Sequence, residues 1–198
     1  MAQRVDHIKR RHVILTQAMR LFSQVGYDAV SFVMIAEASG ISRSVLYHYF
    51  KTKRDVLDAA ILANSSLIMA RCREEMGRTL NVRSKLKHIC FHISDYLFEK
   101  RDFLTAIYDF VLAMNRIGEN MGPRVFEFTD GIRVALRSLL SDGKTHHEIL
   151  STIEPNLTTE LFLSEFEATT LRIILGMEKT AADAKRRFMM MIDAICQK

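Results

Sequence analysis

Ser31 and Ser42 each stand at the head of a short run whose apolar residues recur at helical spacing, and Gly40 lies between the two runs. This pattern constrains the fold more than any other stretch, because it sets two helix starts and one break over residues 31–50. In SFVMIAEASGISRSVLYHYF the Ser31 hydroxyl is placed to cap a first helix, on which Phe32, Ile35 and Ala36 share a face. Gly40 supplies the permissive backbone of the break and Ser42 caps a second helix. That helix turns Val45, Leu46, Tyr49 and Phe50 inward and leaves Arg43, Ser44, Tyr47 and His48 outward. An exposed arginine, hydroxyl, phenol and imidazole on one short helix suit the major groove of DNA, where arginine reads guanine and the others hold phosphates. The spacing predicts a helix-turn-helix.

Upstream, ILTQAMRLFSQVGY over 14–27 is amphipathic and ends in Gly26-Tyr27. Downstream, Lys51-Thr52-Lys53-Arg54-Asp55 places Thr52 to cap a further helix. With Leu21-Phe22, Met34-Ile35-Ala36, Gly40-Ile41-Ser42 and Leu46-Tyr47-His48-Tyr49-Phe50 in this order, the first quarter of the chain resembles the DNA-binding domain of TetR-family bacterial repressors. The resemblance implies an all-α protein with an N-terminal three-helix DNA-binding domain over 1–54. A helical domain over 55–198, for effector binding and dimerisation, is expected to follow. It also implies a regulator, most simply a repressor, that holds a near-palindromic DNA operator as a homodimer and is released by a small apolar or amphipathic molecule. An activator or a ligand-independent regulator on the same fold is the alternative, followed by a small helical metalloprotein or enzyme. Arg43 and Ser44 are the candidates for base edges. Ser31, Ser42, Tyr47, His48, Lys51 and Lys53 are the candidates for phosphates.

Charge points the same way. The first 54 residues carry nine Lys or Arg against three acids, a net of +6, whereas the rest carry nineteen against twenty. A basic end on a near-neutral body is what binding a polyanion through that end requires.

With two prolines, eight glycines and apolar spacings of three and four, the whole chain reads as helical. Helices are predicted over 52–80, 82–100, 102–116, 123–140, 144–153, 158–177 and 181–197, broken at Gly118, Gly122-Pro123, Asp142-Gly143 and Pro155-Asn156, with Thr180 capping the last. No run of about eighteen apolar residues exists to span a membrane. The basic start lacks the apolar segment of a secretory signal. Cys72, Cys90 and Cys196 form neither a disulfide framework nor a CxxC pair, so a cytoplasmic protein with reduced thiols is expected.

Two apolar stripes run along 158–177: Leu161, Ala168, Leu171 and Leu175, and Phe162, Phe166, Ile173 and Met177. The last helix adds Phe188, Met191, Ile192 and Ile195. A helix apolar on two faces needs two partners, and one is expected to be a second copy of the chain. The predicted dimer interface is therefore Leu161, Phe162, Phe166, Ile173, Met177, Phe188, Met191, Ile192 and Ile195. The effector site is expected among His88, His92, Tyr96, Phe103, Tyr108, Phe110, Met114 and Phe126, an aromatic centre with polar handles. Core packing is the plainer account of any one of them.

His88, His92 and Asp95 share a helix face but lack further local ligands, so no metal is expected. His146-His147-Glu148 is not HExxH and reads as a loop or a solvated helix start. Without a glycine-rich phosphate loop, serine elbow or activated cysteine, no cofactor and no enzymatic activity are expected.

Overall fold

The structure, a computed structural model, describes residues 2–197, with the side chains of 6–123 and 125–197. The described residues form nine helices: α1 (Ala2–Val25), α2 (Phe32–Ala38), α3 (Arg43–Tyr49), α4 (Lys53–Met76), α5 (Val82–Glu99), α6 (Arg101–Arg116), α7 (Gly122–Thr145), α8 (Pro155–Ile174) and α9 (Ala181–Ile195). None is long and apolar enough to cross a membrane among the described residues. Packing divides them into two compact units, the chain up to Asn64 with Asp102–Arg124, and Ser65–Arg101 with the chain from Val125 onward.

In the first unit, Ile14, Ala18 and Phe22 of α1, Ile35 of α2, Leu46 of α3 and Val56 and Leu57 of α4 form the buried centre. Gly26 ends α1 with φ +84°, a left-handed turn that a side chain resists. The turn is then pinned from α6, where the Asp109 carboxylate accepts the Tyr27 N–H at 2.6 Å. The Phe110 ring meets Tyr27 edge-on at 4.7 Å. Helix α6 thus belongs to the same packed unit as the helix-turn-helix, although α4 and α5 come between them in the sequence. Proximity in the chain gave no sign of this.

In the second unit α5 lies against α8 and α9. It buries Leu86, Ile89, Cys90, Ile93 and Leu97, which recur at three and four. The Phe188 ring of α9 packs on Phe166 at 4.4 Å and on Phe162 at 6.1 Å. Phe162, Phe166, Ile173, Phe188, Ile192 and Ile195 are therefore core residues of their own chain rather than interface side chains, because α5 already covers the face they share. Of the predicted interface, Leu161 and Met177 stand 55% and 64% exposed, and Met191 is half-buried.

Helix boundaries depart furthest from expectation at two places, while α4 stops at Met76 and α8 runs Pro155–Ile174, each a few residues from its predicted range. Helix α7 runs through Gly143 to Thr145, and 146–154 is not helical. Gly143 is no breaker here. A Cβ at that position would lie 2.9 Å from Ile149 and 3.0 Å from Val82, so glycine is the residue that lets the loop and α5 approach the helix. His147 takes φ +58°, and Leu150 donates its N–H to the Ile195 carbonyl. Glu148 accepts the first N–H of α5, from Val82 at 2.7 Å, so the His146-His147-Glu148 segment is a capping loop. Helix α1 also begins about three turns before the predicted residue 14. Thr180 precedes α9 in an extended conformation but makes no side-chain cap.

Candidate nucleic-acid interface

The two helices flanking Gly40 are held by short local contacts. The Ser31 hydroxyl accepts the Met34 N–H at 3.2 Å, and the Ser42 hydroxyl accepts the Val45 N–H at 3.3 Å. Gly40 makes the turn at φ +65° with no atom near where a Cβ would sit. Thr52 and Asp55 reciprocate at the start of α4: Thr52 Oγ1 accepts from the Asp55 N–H, and the Asp55 carboxylate accepts from the Lys51 and Thr52 N–H groups. The Thr-x-x-Asp spacing made this box legible in the sequence, but only Thr52 was assigned.

Arg43, Ser44, Tyr47 and His48 are all exposed on α3. Arg43 Nη2 donates to the Tyr47 hydroxyl at 3.2 Å, with the guanidinium 5.5 Å from that ring. Tyr47 in turn leans on Phe32 of α2 at 4.8 Å between centroids. The arginine is thereby held upright on its helix with donors still open, which lowers the ordering cost of meeting a base. Ser44 Oγ sits 2.9 Å from Ser42 Oγ, so one hydroxyl pair marks the helix start. Lys51 Nζ donates to the Tyr47 carbonyl at 3.1 Å, closing the C-terminus of α3 with a cation.

Lys53 is placed differently from the expected phosphate ligand. Its ammonium donates to the carbonyls of Tyr27, Asp28 and Val30 at 2.6, 3.2 and 3.2 Å and lies over the Tyr27 ring. An ammonium has three donors, and all are engaged. Burial accordingly draws its pKa below the ordinary lysine value. Lys53 is a strut that ties the start of α4 to the turn between α1 and α2, and nothing local in the sequence separated it from Lys51. Arg54 is a second such strut, paired through both oxygens of Glu119 at 2.9 and 3.1 Å.

The second unit contains a cavity of about 310 Å³. Leu67, Ile68, Cys72, Ile89 and Ile93 make its apolar wall, and Arg71, His92, Asp95, Tyr96, Glu99 and Lys100 its polar part. Burial pushes the Cys72 thiol up to about 11 and raises the Tyr96 phenol further, so both meet the cavity neutral. Of the predicted effector residues, His92 and Tyr96 line this space. Phe103, Tyr108, Phe110 and Met114 belong to the other unit, where Phe110 and Met114 are buried. Phe126 is 53% exposed beneath the Arg133 guanidinium. Aromatic content along the sequence could not distinguish these surroundings.

His88 serves a group the sequence did not reveal. Glu75, 3% exposed, takes the His88 Nδ1 at 2.9 Å and both of its oxygens accept from Arg78 at 3.0 Å, with His92 Nε2 at 3.6 Å. Asp95 pairs with Lys185 at 2.5 Å rather than joining the histidines. Among the described residues no group of three His, Cys, Asp or Glu is arranged to hold a metal ion. Burial raises the Glu75 carboxyl, but the hydrogen bonds from Arg78 and His88 outweigh it and leave the pKa below the ordinary 4.5. A lowered carboxyl stabilises the fold above its unfolded value and loses that contribution as pH falls through the folded value. Glu75→Gln is therefore expected to cost about 1–3 kcal/mol at neutral pH and to flatten the loss of thermal stability below about pH 4.5. Melting temperatures of both proteins across that range check this, and parallel acid limbs would contradict it.

A family model described as bacterial regulatory proteins of the tetR family matches residues 14–60. The HTH-type transcriptional regulator UidR of Escherichia coli K12 is 26% identical over 157 residues, which are 76% of this chain and 74% of that protein. Among solved structures, the fatty acid degradation regulator FadR of Bacillus halodurans superposes with a TM-score of 0.79 at 18% identity, covering 92% of this chain and 94% of that one. The transcriptional regulator FadR of Bacillus subtilis, solved in complex with stearoyl-CoA, gives 0.75 at 16% identity, covering 91% and 96%. At these identities the structural matches establish the shared fold.

Proposed function

This chain belongs to the TetR family of bacterial transcriptional regulators, and from that premise we propose that it is a dimeric repressor released from a near-palindromic operator by a small amphipathic effector. The observation that carries the DNA reading is the exposed Arg43–Tyr47 pair on a capped, seven-residue helix. Arg43 reads a base edge, Ser44 and His48 flank it, and Lys51 meets the phosphate backbone. A dimer is needed because one such helix buries too little surface for specificity, whereas a twofold pair reads half-sites about one DNA turn apart. The second copy seats on the exposed face of α8, where Leu157, Leu161, Leu171 and Leu175 stand 47–63% exposed. The protein acts in the cytoplasm, where its DNA lies and buried thiols stay reduced.

The effector occupies the cavity of the second unit. Its volume is at the small end of ligand pockets, which run from about 300 to 1,000 Å³. An apolar wall with a polar rim fits a molecule with a hydrocarbon body and a polar head. The Bacillus subtilis neighbour solved with stearoyl-CoA supports an acyl compound as the first class to try. The effector releases DNA to the extent that it favours the arrangement unable to span both half-sites.

The test begins with duplexes selected from a random pool for tight binding. Arg43→Ala is expected to cost about 1–3 kcal/mol on the selected duplex and to relax preference at one base pair. Equal losses on selected and scrambled duplexes would remove the base-reading role.

A further inference from the structure

Helix α1 is longer than its core requires. It starts at Ala2, yet among its described side chains the first buried one is Ile14, and every one from Asp6 to Val13 is exposed. Helical turns without an apolar seat are marginal in water, so something other than burial must hold these. Two ring contacts to the helix-turn-helix do so. The His7 ring stacks on Tyr49, the last residue of α3, with centroids 4.5 Å apart. One turn later the Arg11 guanidinium lies 5.3 Å from the ring of Phe50, the C-cap of α3.

The neighbouring face of the extension is cationic and open. Lys9 and Arg10 line a shallow cleft of about 490 Å³ together with Gly40 and Ile41 of the turn and Val45 of α3. On α3, residues 45 and 49 thus turn toward α1 while Arg43 and Tyr47 remain exposed. Arg10 is paired with Asp6 at 3.5 Å, but both side chains are largely in water, where such a pair contributes little and is readily exchanged.

We propose that this N-terminal extension is a second DNA-contacting element, in which Lys9 and Arg10 bind backbone phosphates of duplex DNA beside the groove that α3 enters. The inference rests on the DNA-binding reading above and adds residues that it does not use. Duplex DNA fits better than an acidic protein surface for two reasons. The excess positive charge of the chain lies in its first 54 residues, and the extension is clamped to the very helix that presents Arg43. Phosphate contacts set register and add affinity without reading sequence. The His7 and Arg11 grips would pass that register directly to α3.

The experiment compares wild type with Lys9→Gln/Arg10→Gln, which leaves His7 and Arg11 in place. Binding to a selected duplex and to its scrambled counterpart is followed by fluorescence anisotropy between about 50 and about 200 mM salt, because each neutralised phosphate contributes about 0.9 to the slope of log K against log salt. Loss of both contacts is expected to make the slope shallower by about 1.8 per head and to weaken both duplexes in parallel. Lys9→Arg/Arg10→Lys is expected to keep the wild-type slope. An unchanged slope in the glutamine variant overturns the proposal, and so does a slope lost in the charge-conserving variant. Arg43→Ala separates the two readings. If it fails to discriminate the duplexes while the glutamine variant still lowers the slope, the base-reading assignment falls and the extension stands. Wild-type protein that binds neither duplex overturns both.

Discussion

Leu161→Glu/Leu171→Glu is expected to convert the protein to a monomer and to lower its affinity for a two-half-site duplex by about 10²–10⁴-fold, the advantage that linking two binding events confers. Both leucines lie on the solvent face of α8, 55% and 47% exposed, in register with Leu157 and Leu175. Both side chains stand about half in solvent, so the isolated fold is expected to keep most of its thermal stability. A twofold interface presents the same patch from both copies, and each introduced carboxylate therefore appears twice, facing apolar side chains that cannot solvate it. Sedimentation velocity checks the oligomeric state and anisotropy on duplexes with one and two half-sites checks the binding. Single-half-site affinity should change little. A double glutamate variant that still sediments as a dimer would place the interface on another surface.

Arg187→Met is expected to destabilise the fold by about 3–5 kcal/mol. The Arg187 guanidinium joins Glu165 at 2.5 Å and Glu178 at 2.7 and 2.9 Å, and it also reaches Thr169 at 3.1 Å. The Glu178 side chain is only 3% exposed, and the remaining cation near it, Arg172, stands 3.4 Å away. Hydrogen bonds from Arg187 to Glu178, and then to Glu165, hold its pKa further above the ordinary arginine range. Methionine keeps most of the stem but leaves a buried carboxylate short of its fork-shaped partner. Arg187→Lys should recover only part of the loss, because a point charge cannot satisfy both oxygens of Glu178 and Glu165 together. Arg187→Met/Glu178→Met should recover more, since it removes the orphaned charge as well. For a chain of this size the single methionine change corresponds to a fall in melting temperature on the order of 6–20 °C. A fall of less than about 2 °C would mean that Arg172 suffices as partner.

What was readable without coordinates is local in origin. Ser31, Gly40 and Ser42 act through contacts three or four residues away, so their spacing alone determined two helices and the turn between them. The exposed side of α3 followed from the same periodicity, and with it Arg43, Tyr47 and His48. The charge of the first 54 residues was likewise legible, because charge needs no partner to be counted. It took the fold to show that α1 carries some of those cations past its own core to the flank of α3.

Residues whose role depends on distant partners were decided only by tertiary packing. Phe162 and Leu161 are adjacent and equally apolar, yet α5 and α9 bury the first and leave the second in solvent. Gly143 matches any helix breaker by composition, but the approach of Val82 and Ile149 makes it a packing residue inside α7. Lys51 and Lys53 differ in no local feature, and three carbonyls from a turn more than twenty residues upstream separate the strut from the surface cation. Glu75 on α4 gains its histidine partner from α5, and helical periodicity places residues on a face without saying what that face will meet.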